Sequence, residues 1–213
     1  MTRLALAFVA FVLALSPATA QDWPPKTVRI VVPFGAGSTP DIVARMLAEN
    51  LSQKYPASSF VVENKAGAGG NTGTDAVAKA DPDGSTIGIS IGGPLAINTI
   101  LFSKLPYDPK KDIAAVTQLV TMPSALVVSS ALGVNSVAEL VALLKREPGK
   151  YNFGSIGNGS VSHLSMEAIA LKSGAKMVHV PYASSPAAMT AVLRNDVQMA
   201  VLAAISVTPH VPS

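Results

Sequence analysis

Cysteine is absent from the 213-residue sequence, which excludes disulfides, thiolate metal sites and the lipid-anchored form of an exported bacterial protein. Charge is sparse. Asp, Glu, Lys and Arg make up 14% of residues, the net charge is +3, and no basic run occurs, so nucleic acid is not expected as a partner. Three histidines, His163, His179 and His210, show neither metal-ligand spacing nor an evident nucleophile partner, and no G-x-S-x-G elbow is present. The composition therefore points to no catalytic group, no metal and no cofactor. Beyond residue 20 no apolar stretch reaches the roughly 20 residues needed to span a bilayer.

One short apolar run is there, at the beginning. Arg3 precedes Leu4 to Leu15, and Ser16-Pro17-Ala18-Thr19-Ala20 leads into polar Gln21-Asp22. A basic start, a short apolar core and an A-x-A end read as a secretory signal peptide over residues 1–20, cleaved near Ala20. The expected location is the periplasm, with a mature chain starting near Gln21. About 190 residues then remain, enough for one large or two small domains.

After this leader, strands alternate with helices. Val28 to Pro33 is a β-branched run, and Asp41 to Tyr55 carries Ile42, Met46, Leu47 and Leu51 at helical spacing. Phe60 to Glu63, Thr86 to Ile91 and Ala114 to Val120 read as strands, with helices at Thr72 to Ala80 and Leu95 to Phe102. A second series starts at Ala125 to Ser129. Its first helix, Ser136 to Arg146, opens on the capping-box pattern Ser136-x-x-Glu139 and stops at Pro148-Gly149. Strand Tyr151 to Ser155, helix Ser160 to Ser173, strand Met177 to Val180, helix Pro186 to Arg194 and strand Val197 to Leu202 follow. Such alternation predicts an α/β protein with mostly parallel sheets. Residues 21–122 form the expected first lobe and 123–213 the second, with Thr121 to Ser124 as the crossover.

Glycine-rich loops join strand to helix in both lobes. In the first, Phe34-Gly35-Ala36-Gly37-Ser38-Thr39-Pro40-Asp41 combines two glycines, two hydroxyls and a proline suited to the first helical turn. Unpaired amides at a helix start can hold an anion. Ser38 and Asp41 also fit a capping box, a purely structural role. The second lobe repeats the pattern in Ile156-Gly157-Asn158-Gly159-Ser160, followed by Ser162, His163 and Ser165. A third stretch, Asn64 to Thr72, reads as a flexible turn offering backbone only. In open parallel sheets ligands bind beyond the carboxyl ends of the strands. A dinucleotide enzyme is the rival reading, since Gly35-x-Gly37 follows a strand and Glu63 ends the next. Pro40 occupies the third glycine position of that motif, which argues against it.

Taken in order, VRIVVPFGAGSTPDIVARMLAENL, VVENKAGAGGNTGTDAVAKADPDGSTIGI, AINTILFSKLPYDPKKDIAAVTQL, YNFGSIGNGSVSHL and VHVPY resemble the Bug or TctC receptors of tripartite tricarboxylate transporters, from about Trp23 to Pro212. The resemblance implies a type II periplasmic-binding-protein fold of two α/β lobes, a monomer that captures a small carboxylate between them. It also implies membrane permease subunits as partners; a carboxylate-sensing module for a membrane signalling protein is the alternative. By the same resemblance the ligand is held by Ala36, Gly37, Ser38, Thr39 and Asp41 from one side and by Gly157, Asn158, Gly159, Ser160 and His163 from the other. Three departures stand out. Val180-Pro181-Tyr182 runs into Ala183-Ser184-Ser185 where the family has Lys-Gly; Ala203-Ala204 replaces a more polar wall; and the sequence stops at Ser213, where the family pattern continues for roughly another third. The C-terminal part of the fold, which returns to the first lobe, is thus expected to be missing.

Overall fold

The computed structural model describes residues 23–210; the expected signal peptide and its cleavage point lie outside the described residues. Two sheets organise the chain. The first is β2-β1-β3, built from β1 (Thr27–Val32), β2 (Ser59–Asn64) and β3 (Thr86–Gly88). All its pairs are parallel, with Thr27 opposite Ser59 and Arg29 opposite Thr86. β1 is central: Val28, Ile30, Val31 and Val32 are buried, while Thr27 and Arg29, on the face opposite Val28, stay exposed at the start of the strand. Val28, Ile30 and Val32 share a face by the period of two and pack with Ala44 and Ala48 of helix α1 (Thr39–Lys54) and with Phe34 and Phe60. Helix α2 (Asn71–Ala78) follows β2. It approaches β1 closely through Gly73, where a Cβ would lie 2.5 Å from Pro33 Cα. A short π-turn, Gly93–Ile97, leads into α3 (Asn98–Leu101).

The second sheet has the order β4-β7-β5-β6, from β4 (Ser124–Val128), β5 (Asn152–Ser155), β6 (Val178–Pro181) and β7 (Met199–Ala203). β5 runs parallel to β6 and β7, whereas β4 runs antiparallel to β7, with Ser124 opposite Ala203. The chain therefore enters the sheet and leaves β7 side by side, and Ala204 N–H donates to Pro123 O at 2.9 Å. β7 alternates between two cores. Met199 and Val201 pack with Leu140 and Leu144 of α4 (Val137–Arg146), Phe153, and Met166 of α5 (Val161–Ser173). Ala200 and Leu202 pack with Ala188, Met189 and Val192 of α6 (Ser185–Leu193) and with Val207 of α7 (Ala204–Val207).

Local signals account for the helix ends. Ser136 caps α4 by accepting Glu139 N–H at 3.2 Å, and the Glu139 carboxylate takes the amide of Asn135 instead of the Ser136 amide that a standard box uses. Gly174, in the left-handed region at φ 71°, ends α5.

One expected strand is not formed. Residues 113–123, including Ala114 to Val120, carry neither helix nor strand, and Val116 is 89% exposed. A β-branched run acquires strand structure only when a neighbouring backbone completes its hydrogen bonds, and among the described residues none lies alongside it. The helix expected over Leu95 to Phe102 likewise divides into the π-turn and one turn of α3.

Candidate functional site

Three glycine loops sit at the carboxyl ends of parallel strands: residues 35–38 after β1, 65–70 after β2, and 156–160 after β5. They bring the two sheets' halves into contact. Gly35 N–H donates to Ala183 O at 3.1 Å. Gly69, at φ +64°, faces the Asn158 carbonyl so closely that a Cβ would collide with it, Gly159 faces the Asn98 side-chain amide in the same way, and Gly93 abuts the Gly159 carbonyl.

Asp41 organises the first loop. It is 2% exposed, and its carboxylate accepts Gly37 N–H at 2.8 Å, Asn64 Nδ2 at 2.9 Å, and Arg45 Nε and Nη2 at 3.0 Å each. Burial pushes this carboxyl up, but the hydrogen bonds from Arg45, Gly37 and Asn64 outweigh it and hold the group below the usual carboxylate range. Asn64 also donates to Phe34 O at 3.0 Å. Asp41 is thus an internal anchor with its oxygens occupied. Ser38 and Thr39, expected as donors or caps, are buried with hydroxyls that meet no partner among the described residues. Ser38 does not cap α1.

The second-half loop is held from behind by hydroxyls and imidazoles. Ser160 Oγ donates to Gly157 O at 2.7 Å and accepts His163 N–H at 3.2 Å, so its hydroxyl serves as the N-cap of α5. His163 Nδ1 accepts Gly159 N–H at 3.2 Å, and Ser162 Oγ accepts Ile156 N–H. The His163 ring stacks on His179 at 4.1 Å, and His179 stacks on Phe153 at 5.0 Å. His179 Nε2 lies 2.6 Å from Ser155 Oγ, which accepts Gly157 N–H at 3.0 Å. The Ser155 oxygen has two lone pairs, so it can accept the Gly157 amide and still either donate to Nε2 or accept from it, according to the imidazole tautomer. Burial and then the charge of His163 lower the pKa of His179 to about 4.

Between the halves lies a cavity of about 360 Å³ bounded by the second and third glycine loops, Phe34, Phe102, Ile156 and Pro181–Ala183, within the size range of small-molecule sites. Gly157 and Asn158 are on its wall. Ala36, Gly37, Ser38, Thr39 and Asp41 are beside it, in the loop packed on Ala183 and Pro186, while Ser160 and His163 turn into the second half. Residues 66–70, Phe102 and Tyr182 line it without having been singled out from sequence as side-chain determinants. A wider hollow of about 640 Å³ runs along residues 95–110 of the first half and shares Phe102 with the first cavity. Among the described residues, no group of His, Asp or Glu could hold a metal, and no helix is long and apolar enough to cross a membrane.

The family model for the tripartite tricarboxylate transporter family receptor matches residues 43–213. The chain belongs to this receptor family. A UPF0065 protein of Bordetella bronchiseptica is 35% identical over 210 residues, covering 99% of this chain and 62% of that protein. Among solved structures, an R. palustris protein with adipate is 34% identical at a TM-score of 0.85, covering 88% of this chain and 62% of its own. MatC of Rhodopseudomonas palustris with bound malate is 28% identical at a TM-score of 0.82, covering 88% and 63%. The chain thus spans about 62% of the length of these proteins. The family model begins inside α1, so the first glycine loop precedes the matched residues. The α/β fold with mostly parallel sheets agrees with these neighbours.

Proposed function

We propose that this chain is the ligand-gripping part of an exported receptor that captures a small carboxylate in the cleft between its halves and presents it to the membrane subunits of a tripartite transporter. The observation that carries this reading is the cavity walled by glycine loops from both halves. Within the hydrogen-bond pattern of the described residues, no acceptor meets the main-chain amides of Ala36, Thr39, Ala68 or Asn158. Amides presented at strand ends and helix starts bind carboxylates without a cation. The buried, unpartnered hydroxyls of Ser38 and Thr39 support a ligand role for the first loop, since such groups cost stability unless something completes them. Family membership and the adipate- and malate-bound neighbours support the ligand class and a receptor in place of a catalyst. The N-terminal basic and apolar pattern supports export to the periplasm.

Ala36, Gly37, Ser38, Thr39, Gly157 and Asn158 contact the ligand in this reading. Asp41, Ser160 and His163 act one step back, by shaping the loops. A thermal-shift screen of carboxylates against the purified chain tests the function. A ligand at about 100 times its Kd should stabilise the native form by ~2.7 kcal/mol; no shift with any carboxylate would reject the reading.

A further inference from the structure

We propose that the cleft is built for an aromatic carboxylate with one or two charges, and that Phe102 and Tyr182 set this preference. The inference rests on the receptor reading above and narrows its ligand. Three rings, Phe34, Phe102 and Tyr182, line the cavity together with Ile156 and Pro181, and no Lys, Arg, His, Asp or Glu does. The remaining wall is main chain, with Asn158 as its one polar side chain. Where the family resemblance puts Lys-Gly, this chain has Ala183-Ser184, so that part of the rim adds no cation either.

Charge sets the first limit. A carboxylate taken from water must find hydrogen-bond donors or a counter-charge. The cavity wall offers the amides of Ala68 and Asn158, on opposite halves. The first loop beside it adds the amides of Ala36 and Thr39 and the hydroxyls of Ser38 and Thr39; these donors are all neutral and sit in the loops, so they suit one carboxylate at each side of the cleft. A compact trianion would leave charge uncompensated against apolar rings.

Shape sets the second. A void of about 150 Å³ lined by apolar side chains already takes up benzene, so about 360 Å³ holds a ring with its carboxylate. Phe34 is a fixed wall: it is 2% exposed, and a Cβ on Gly70 would lie 2.9 Å from its Cζ. Phe102, ending α3, and Tyr182, following β6, are half-buried and approach from opposite halves. A planar ring can meet these rings edge to face or offset, and it loses no internal rotations on binding, unlike a flexible aliphatic chain.

The decisive comparison uses benzoate and cyclohexanecarboxylate, which match in charge and nearly in size and differ in aromaticity, with citrate as the trianion. Calorimetric titration of the purified chain should give benzoate about threefold to tenfold tighter binding than cyclohexanecarboxylate, and citrate at least about tenfold weaker binding than benzoate. Tyr182→Leu and Phe102→Leu, which keep apolar volume, should bring the benzoate to cyclohexanecarboxylate ratio toward one. Citrate binding as tightly as benzoate, a ratio near one in the unmodified chain, or a ratio unmoved in both variants would each overturn this inference and leave the receptor function standing. Binding of none of these acids, nor of any other carboxylate, would overturn both.

Discussion

A single imidazole should make the second half acid-sensitive. His179 is wedged between Phe153 and His163, with Nε2 2.6 Å from Ser155 Oγ, so protonating it places a charge in a partly buried stack beside a second imidazole. Its native pKa is lowered from 6.5 to about 4 by burial first and His163 second. The sign follows from linkage. The unfolded chain binds this proton near 6.5 and the native chain does not, so the stabilisation is fully present above about pH 6.5. It is lost as pH falls from there toward 4. At ~1.36 kcal/mol per pH unit the interval sets a ceiling of ~3 kcal/mol, and solvent screening of a partly exposed ring reduces it to ~1–2 kcal/mol. Another group faces the same pair: the Glu167 carboxylate lies 3.7 Å from His163 Nε2. His179→Gln retains an acceptor for Ser155 and does not titrate. Urea unfolding followed by far-ultraviolet circular dichroism from pH 7.5 to 4.5 should show the unmodified chain losing ~1–2 kcal/mol more than the variant. Parallel stability curves for the two proteins would refute the reasoning.

Gly69→Ala should weaken ligand binding more than about tenfold in calorimetry, because the new Cβ meets the Asn158 carbonyl and sits at positive φ; undiminished affinity would mean that the halves do not meet at this point in the bound state. Ser160→Ala should lower the unfolding free energy by ~1 kcal/mol through loss of the α5 cap, read by urea titration. Asp41→Asn should destabilise by ~1–3 kcal/mol, since the amide cannot satisfy the donors of Gly37, Asn64 and Arg45 together; unchanged thermal unfolding would contradict the anchor role. Phe153→Ala, at a fully buried ring in the core of the second half, should cost ~3–5 kcal/mol.

Strand and helix order was legible because β7 is a short apolar run, β1 is largely β-branched, and the helices carry their own stops, such as Ser136 before α4 and Gly174 after α5. What failed was the segment Ala114 to Val120, whose pattern matches a strand but whose pairing depends on backbone far away in sequence. The antiparallel entry of β4 beside β7 was hidden for the same reason. In the site, the glycine loops announced themselves by composition, but the division of labour within them did not. Ser38 and Ser160 stand at matching positions before two helices; only the second caps, because its Oγ reaches the His163 amide. Phe102 and Tyr182 carried no signal beyond being aromatic near a helix end and a strand end. That they share one cavity with Phe34 follows from the halves coming together, a distance relation with no local trace in the chain.

The contact of backbone with backbone across the cleft bears on how such a receptor can diversify. Where Gly69 meets the Asn158 carbonyl and Gly159 meets Asn98, any side chain acts as a wedge, so nearly every single-codon change there removes closure instead of altering preference. On the receptor reading proposed above, Phe102 and Tyr182, half-buried at the cavity, are where mutation exchanges one organic acid for another, with Tyr182 the more constrained because its ring lies over Gly154. New diets would thus be reached through the rings, with the glycines as the fixed frame.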